Sequence, residues 1–151
     1  MSNLIKEVSF RCHYSGKNNW TDDDEDDISC YINIESPEDD ILGQQFPDEI
    51  VIPFNEILIK YTYPLSKSVV LGFKSDNCFT RAELARKICE GYHQIYNEEE
   101  SAVGNPGNIS GMLNRASSDG PYGIYGHHIG DLVLHSVRQI DGNMFGLGVD
   151  S

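Results

Sequence analysis

One stretch of this chain, residues 80–97, repeats apolar side chains at helical spacing, and the segments around it alternate with period two. A lone long helix set among short strands restricts the chain to folds in which that helix covers a sheet. Thr80-Arg-Ala-Glu83 has the spacing of a capping box, in which hydroxyl and carboxylate satisfy backbone amides that a helix start leaves unpaired. Leu84, Ile88, Tyr92, Ile95 and Tyr96 then recur on one face, with Arg81, Arg86, Lys87, Glu90 and His93 over much of the remainder. Glu98-Glu-Glu100 puts negative charge at the negative end of the macrodipole, which predicts fraying there and a helix over 80–97.

The strands are read from alternation. Val8, Phe10, Cys12 and Tyr14 share one face of residues 7–14, and Ile28, Cys30, Ile32 and Ile34 share one face of the next segment. Ile57, Ile59, Tyr61 and Tyr63 repeat the pattern, and residues 67–73 add a short strand. Pro47 and Pro53 confine the segment between them to an edge strand or extended loop. The run Asp22–Asp27 repels itself and reads as an exposed connection. Residues 101–120, rich in Gly, Asn and Ser, read as a long connection with one helical turn around Ile109–Arg115.

Residues 129–140 fit two periods. Ile129, Leu132, Val133, Val137 and Ile140 suit a helix, but Leu134 lies off that face and Gly130 weakens it. Asp141-Gly-Asn143 is a turn signal followed by Met144, Phe145, Leu147 and Val149, which favours a hairpin of Leu132–Ile140 with Met144–Val149. The expected fold is a single α+β domain over residues 1–151. It has a mostly antiparallel sheet from residues 7–73, one long amphipathic helix packed on it, and a C-terminal β-hairpin that joins or extends the sheet.

Charge excludes one class of partner. The chain carries 11 Lys and Arg against 24 Asp and Glu, a formal net charge of −13. Residues 1–75 hold 6 basic and 14 acidic side chains and residues 76–151 hold 5 and 10, so no basic half is hidden by the average. Direct nucleic-acid binding needs clustered Lys and Arg, and none is present. An acidic balance suits a basic protein partner or, at the extreme, a nucleic-acid mimic.

Cys12, Cys30, Cys78 and Cys89 lie far apart with no C-x-x-C spacing, which argues against zinc and for free thiols in a reducing compartment. Met1–Lys6 lacks the apolar run of a secretory signal and no segment has the length of a membrane span, so a cytoplasmic location is expected. The sequons at Asn19 and Asn108 then read as chance matches.

The segment 120–135 concentrates unusual residues. Ten of the fourteen glycines follow residue 100, and Tyr122, Tyr125, Gly126, His127, His128, Asp131 and His135 fall within fourteen positions. A helix over 127–135 would align His127, Asp131 and His135 at i, i+4 and i+8 near a divalent ion, and a strand over 132–140 removes that alignment. Gly126 and Gly130 favour the strand, so no metal ligand and no cofactor is assigned. Gly123, Gly126 and Gly130 lack dinucleotide-fingerprint spacing, and Asp27 and Asn33 stand where a calcium loop from Asp22 needs Gly and Glu. Ser118 or Ser136 with a histidine and Asp119 or Asp131 could form a catalytic trio, but no nucleophile elbow is present. The glycines permit close approach and positive φ, which would present Tyr122 and Tyr125 as exposed anchors, unless both tyrosines pack onto the sheet.

The expected function is a non-catalytic protein–protein interaction module with Tyr122, Tyr125, Gly126, His127, His128 and Asp131 as binding residues. The alternatives are a small metal-dependent hydrolase using His127, Asp131 and His135, or an acidic mimic that captures a basic protein. Phe79-Thr-Arg-Ala-Glu-Leu84, Gly123-Ile-Tyr-Gly-His-His-Ile-Gly-Asp-Leu132 and Val149-Asp-Ser151 resemble a family of small uncharacterised proteins of amoeba-infecting large DNA viruses and some protists, over residues 70–151. That resemblance implies a cytosolic setting, including a viral one, and no activity.

Overall fold

The computed structural model describes residues 7–13 and 28–151; Tyr14, Asn19 and the acidic run 22–27 lie outside them. In order come β1 (Glu7–Ser9), β2 (Cys12–His13), β3 (Ile28–Ser29), β4 (Ile32–Asn33), α1 (Glu38–Leu42), β5 (Ile50–Ile52), β6 (Glu56–Tyr61) and β7 (Val69–Lys74). They are followed by β8 (Phe79–Thr80), α2 (Arg81–Val103), a 3-10 turn (Ile129–Asp131), β9 (Val133–Asp141) and β10 (Met144–Asp150). The fold is α+β, mostly sheet with one long helix and a C-terminal hairpin.

Helix α2 begins where its sequence says. The Thr80 hydroxyl accepts from the Glu83 amide at 3.1 Å, while the Glu83 carboxylate accepts from Ser75 Oγ at 3.1 and 3.2 Å instead of reaching back to the cap. Leu84, Ile88, Tyr92, Ile95 and Tyr96 are all buried, and each large apolar side chain contributes about 1.5–3 kcal/mol on leaving water. Tyr61 donates its hydroxyl to the Ile88 carbonyl at 2.9 Å, and Tyr92 donates to the Tyr63 carbonyl at 2.7 Å. Gly91 is what lets helix and strand approach this closely, because a Cβ there would collide with the Tyr61 hydroxyl. The helix does not end at 97. It continues to Val103, for a tertiary reason given below.

The C-terminal hairpin joins the sheet, as expected, and it does so at the centre rather than at an edge. The order is β1-β9-β10-β6-β7, with β4 also on β9, and the β10–β6 pair is parallel. Strands of two or three residues such as β1 and β4 bury too little to be central. β9 and β10, nine and seven residues long, bury Leu134, Val137 and Phe145 and take the middle. The parallel pairing needs a long crossover, and α2 lies within it. The turn falls at Gly142-Asn143, and the first strand begins at Val133 where Leu132 was expected.

Alternation holds in β6, whose Ile57, Ile59 and Tyr61 are fully buried. It fails at Cys30, which is exposed while Ile32 and Ile34 are buried. The strand breaks there: β3 pairs with β2 and β4 with β9, so no single face runs through both. The segment between Pro47 and Pro53 supplies β5, which pairs with β8 in a separate two-stranded ribbon. The polar stretch 36–40 contributes to the short helix α1, which buries Ile41. Cys12 and Cys89 are buried, and burial pushes both thiols up to about 12. Among the described residues no helix is long and apolar enough to cross a membrane.

Candidate functional site

The connection between α2 and β9 is fixed from within by one carboxylate. Glu99 is fully buried and projects from α2 into the turn at 118–124. It accepts from Ser118 Oγ at 2.5 Å and from the amides of Gly120 (3.0 Å), Tyr122 (2.8 Å), Gly123 (3.3 Å) and Ile124 (3.3 Å). Burial alone would raise this carboxyl. The Ser118 hydroxyl and the three amides of Tyr122, Gly120 and Ile124 outweigh it and hold the carboxyl down at about 2. This explains why α2 outlasts its unfavourable C-terminal charge. Macrodipole repulsion is worth about 0.3–1 kcal/mol, whereas each hydrogen bond to a charged group contributes about 1.5–3 kcal/mol.

Other contacts complete the clamp. The amides of Ser66 and Lys67 donate to the carbonyls of Gly123 (2.9 Å) and Tyr122 (3.0 Å), and Tyr125 donates its amide to Pro64 (3.1 Å). Arg115, 1 % exposed, donates Nη1 to Ser118 Oγ (3.2 Å) and to the carbonyls of Ala116 (3.3 Å) and Ile124 (3.4 Å). Its guanidinium lies over the Tyr96 ring, 5.6 Å from the centroid, and Tyr96 donates its hydroxyl to the His127 carbonyl at 2.9 Å. The expected helical turn at Ile109–Arg115 is instead a tight reversal. Asn108 bridges Arg115, Arg115 bridges Gly126, and Ile109, Met112 and Leu113 stand at the tip.

This framework decides which residues face outward. Tyr122 packs against the core and donates its hydroxyl to the Glu98 carboxylate, a bond that raises the hydroxyl to about 12. Tyr125 is 41 % exposed, its ring set edge-on to Tyr63 at 6.3 Å. Of the two tyrosines, one is a packing residue and the other projects. Gly126 has φ +75°, a conformation that a β-branched side chain resists, and its carbonyl accepts from Asn114 Nδ2 at 3.3 Å. The His127 ring lies 5.6 Å from the Tyr63 ring, and its Nε2 is 3.2 Å from Ser151 Oγ, which is 2.8 Å from the Tyr63 hydroxyl. His128 Nε2 is 2.6 Å from Asn108 Oδ1, and Asp131 Oδ2 accepts the His128 amide at 3.1 Å. A cavity of about 220 Å³ opens here, lined by Leu113, Asn114, His127, Asp131 and Ser151.

Five of the six expected binding residues therefore lie together on one surface, with Tyr122 supporting it from beneath. His135 does not join them. The 3-10 turn and β9 carry it to a separate cavity with Glu7, Arg11 and Cys30, where its Nε2 is 3.3 Å from Asp150 Oδ2. Ser118 is engaged by Glu99 and Arg115. Sequence reasoning missed Glu99, Arg115, Tyr63, Leu113 and Ser151. Two of them left a signal: Glu99 has the wrong sign for a helix C-terminus, and Arg115 is the only Lys or Arg between Lys87 and Arg138. No protein-family model matches the chain, nor does any curated protein or solved structure.

Proposed function

We propose that the domain is a non-catalytic protein–protein interaction module that engages its partner with the surface formed by Tyr125–Asp131 and the tip Ile109–Leu113. The observation that carries this reading is a contrast. Tyr125 and Leu113 are 41 % and 88 % exposed, yet the turn that leads into Tyr125 is held by a fully buried carboxylate and a buried guanidinium, and Leu113 lies two residues from that arginine. Large apolar side chains on an already ordered loop lose little entropy on binding, and aromatic anchors dominate interface energetics. The acidic balance of the chain favours a partner with basic residues around its apolar contact.

Affinity capture from a lysate of the source organism, followed by binding measurements on the captured protein, tests this. Tyr125→Ala and Leu113→Ser should each weaken binding by about tenfold or more with an unchanged melting temperature. Val70→Asp, on the exposed side of edge strand β7, should leave binding intact. Equal loss from Val70→Asp would place the interface elsewhere. Capture that disappears at high salt and ignores Tyr125→Ala would favour the acidic-mimic alternative instead.

A further inference from the structure

The cavity beside His127 is small. At about 220 Å³ it falls below the roughly 300–1,000 Å³ of small-molecule sites. Among the described residues no lysine or arginine lines it. Asp131 is exposed, gives one carboxylate oxygen to the His128 amide, and among the described residues has no cation within ion-pairing distance. Asn114 adds an amide to the wall, and Leu113 adds an apolar surface against which an aliphatic stem can lie. His127, in ring contact with Tyr63, adds an imidazole to the wall.

We infer that this cavity receives an arginine side chain of the partner, its guanidinium on the Asp131 carboxylate and its stem along Leu113. The inference rests on the interaction reading above and names the chemistry that the surface selects. A guanidinium matches a carboxylate with paired donors, and the net charge of −13 favours its approach.

The test uses the full chain, isotope-labelled, titrated separately with N-acetyl-arginine methylamide, its lysine counterpart, and the citrulline compound, which keeps the shape without the charge. The arginine compound should shift the amide signals of Asn114, His127 and Asp131 saturably, with citrulline roughly ten- to a hundredfold weaker. Asp131→Asn keeps an oxygen for the His128 amide and so the fold, yet should lose the preference for arginine over citrulline. Equal binding of citrulline, tighter binding of lysine, shifts mapping elsewhere, or no shift would each overturn the assignment. If the arginine compound fails while Tyr125→Ala still abolishes partner capture, the interaction surface stands and the pocket falls. If the compound binds and no partner depends on Tyr125, the reverse holds.

Discussion

Helix α2 carries a charge of the wrong sign for the macrodipole near each end, and the two ends use it differently. At the start, Arg81 donates Nη1 to the Phe46 carbonyl (2.9 Å) and to Glu49 Oε1 (2.7 Å), and Nε to the Ser9 carbonyl (3.1 Å). Towards the end, Glu99 collects four amides and a hydroxyl. Each trades a small dipole penalty for stronger charge-assisted bonds to a distant loop. The difference lies in water. The Arg81 side chain is 15 % exposed and pairs with a Glu49 that is 56 % exposed, so solvent can replace its bonds; Glu99 is fully enclosed. A misplaced charge on a helix therefore marks a tertiary clamp, and burial decides how much depends on it.

The largest expected effect is Glu99→Ala. It strands four buried or half-buried amides, so the domain should lose about 3–5 kcal/mol in chemical denaturation. A loss under about 1 kcal/mol would make the two ends equivalent. Acid should remove the same clamp without mutation. The Glu99 carboxyl is held below its ordinary 4.5, at about 2, so its stabilisation is present in full above the unfolded value and drains away as pH falls towards 2. Denaturation midpoints between pH 5 and pH 2 should fall more steeply in the native chain than in Glu99→Gln, and parallel curves would contradict that. Arg81→Ala should cost less, about 1–2 kcal/mol, since water reaches the freed carbonyls. A cost equal to that of Glu99→Ala would remove burial as the deciding variable. Thr80→Ala, which deletes only the local cap, should cost about 1 kcal/mol and leave both loops in place.

Features encoded within one or two turns of chain were legible in the sequence. Thr80 and the spacing of Leu84, Ile88, Tyr92 and Ile95 mark the helix, and Gly142 with its flanking apolar residues marks the hairpin. Features that depend on partners far along the chain were not legible. The helix runs to Val103 because Glu99 meets amides some twenty residues later, and β10 lies beside β6 because the longest strands compete best for the middle of the sheet. Cys30 turned outward because adjacent strands joined different sheets. The same division runs through the site. Tyr125, Gly126, His127, His128 and Asp131 were visible as a local cluster, while Tyr63 and Leu113 reach that surface only through the fold. Tyr122, adjacent in sequence, was claimed by the core.

Amide hydrogen exchange at Gly120, Tyr122 and Ile124 bears most directly on Glu99 as the organiser of this loop. In the native chain these amides should exchange slowly, on the scale of the β9–β10 amides. In Glu99→Gln, whose side chain keeps a single acceptor oxygen, they should exchange markedly faster while Val137 and Phe145 keep their protection. Rapid exchange of the three amides in the native chain, or unchanged protection in the variant, would show that the loop is held by something other than the buried carboxylate.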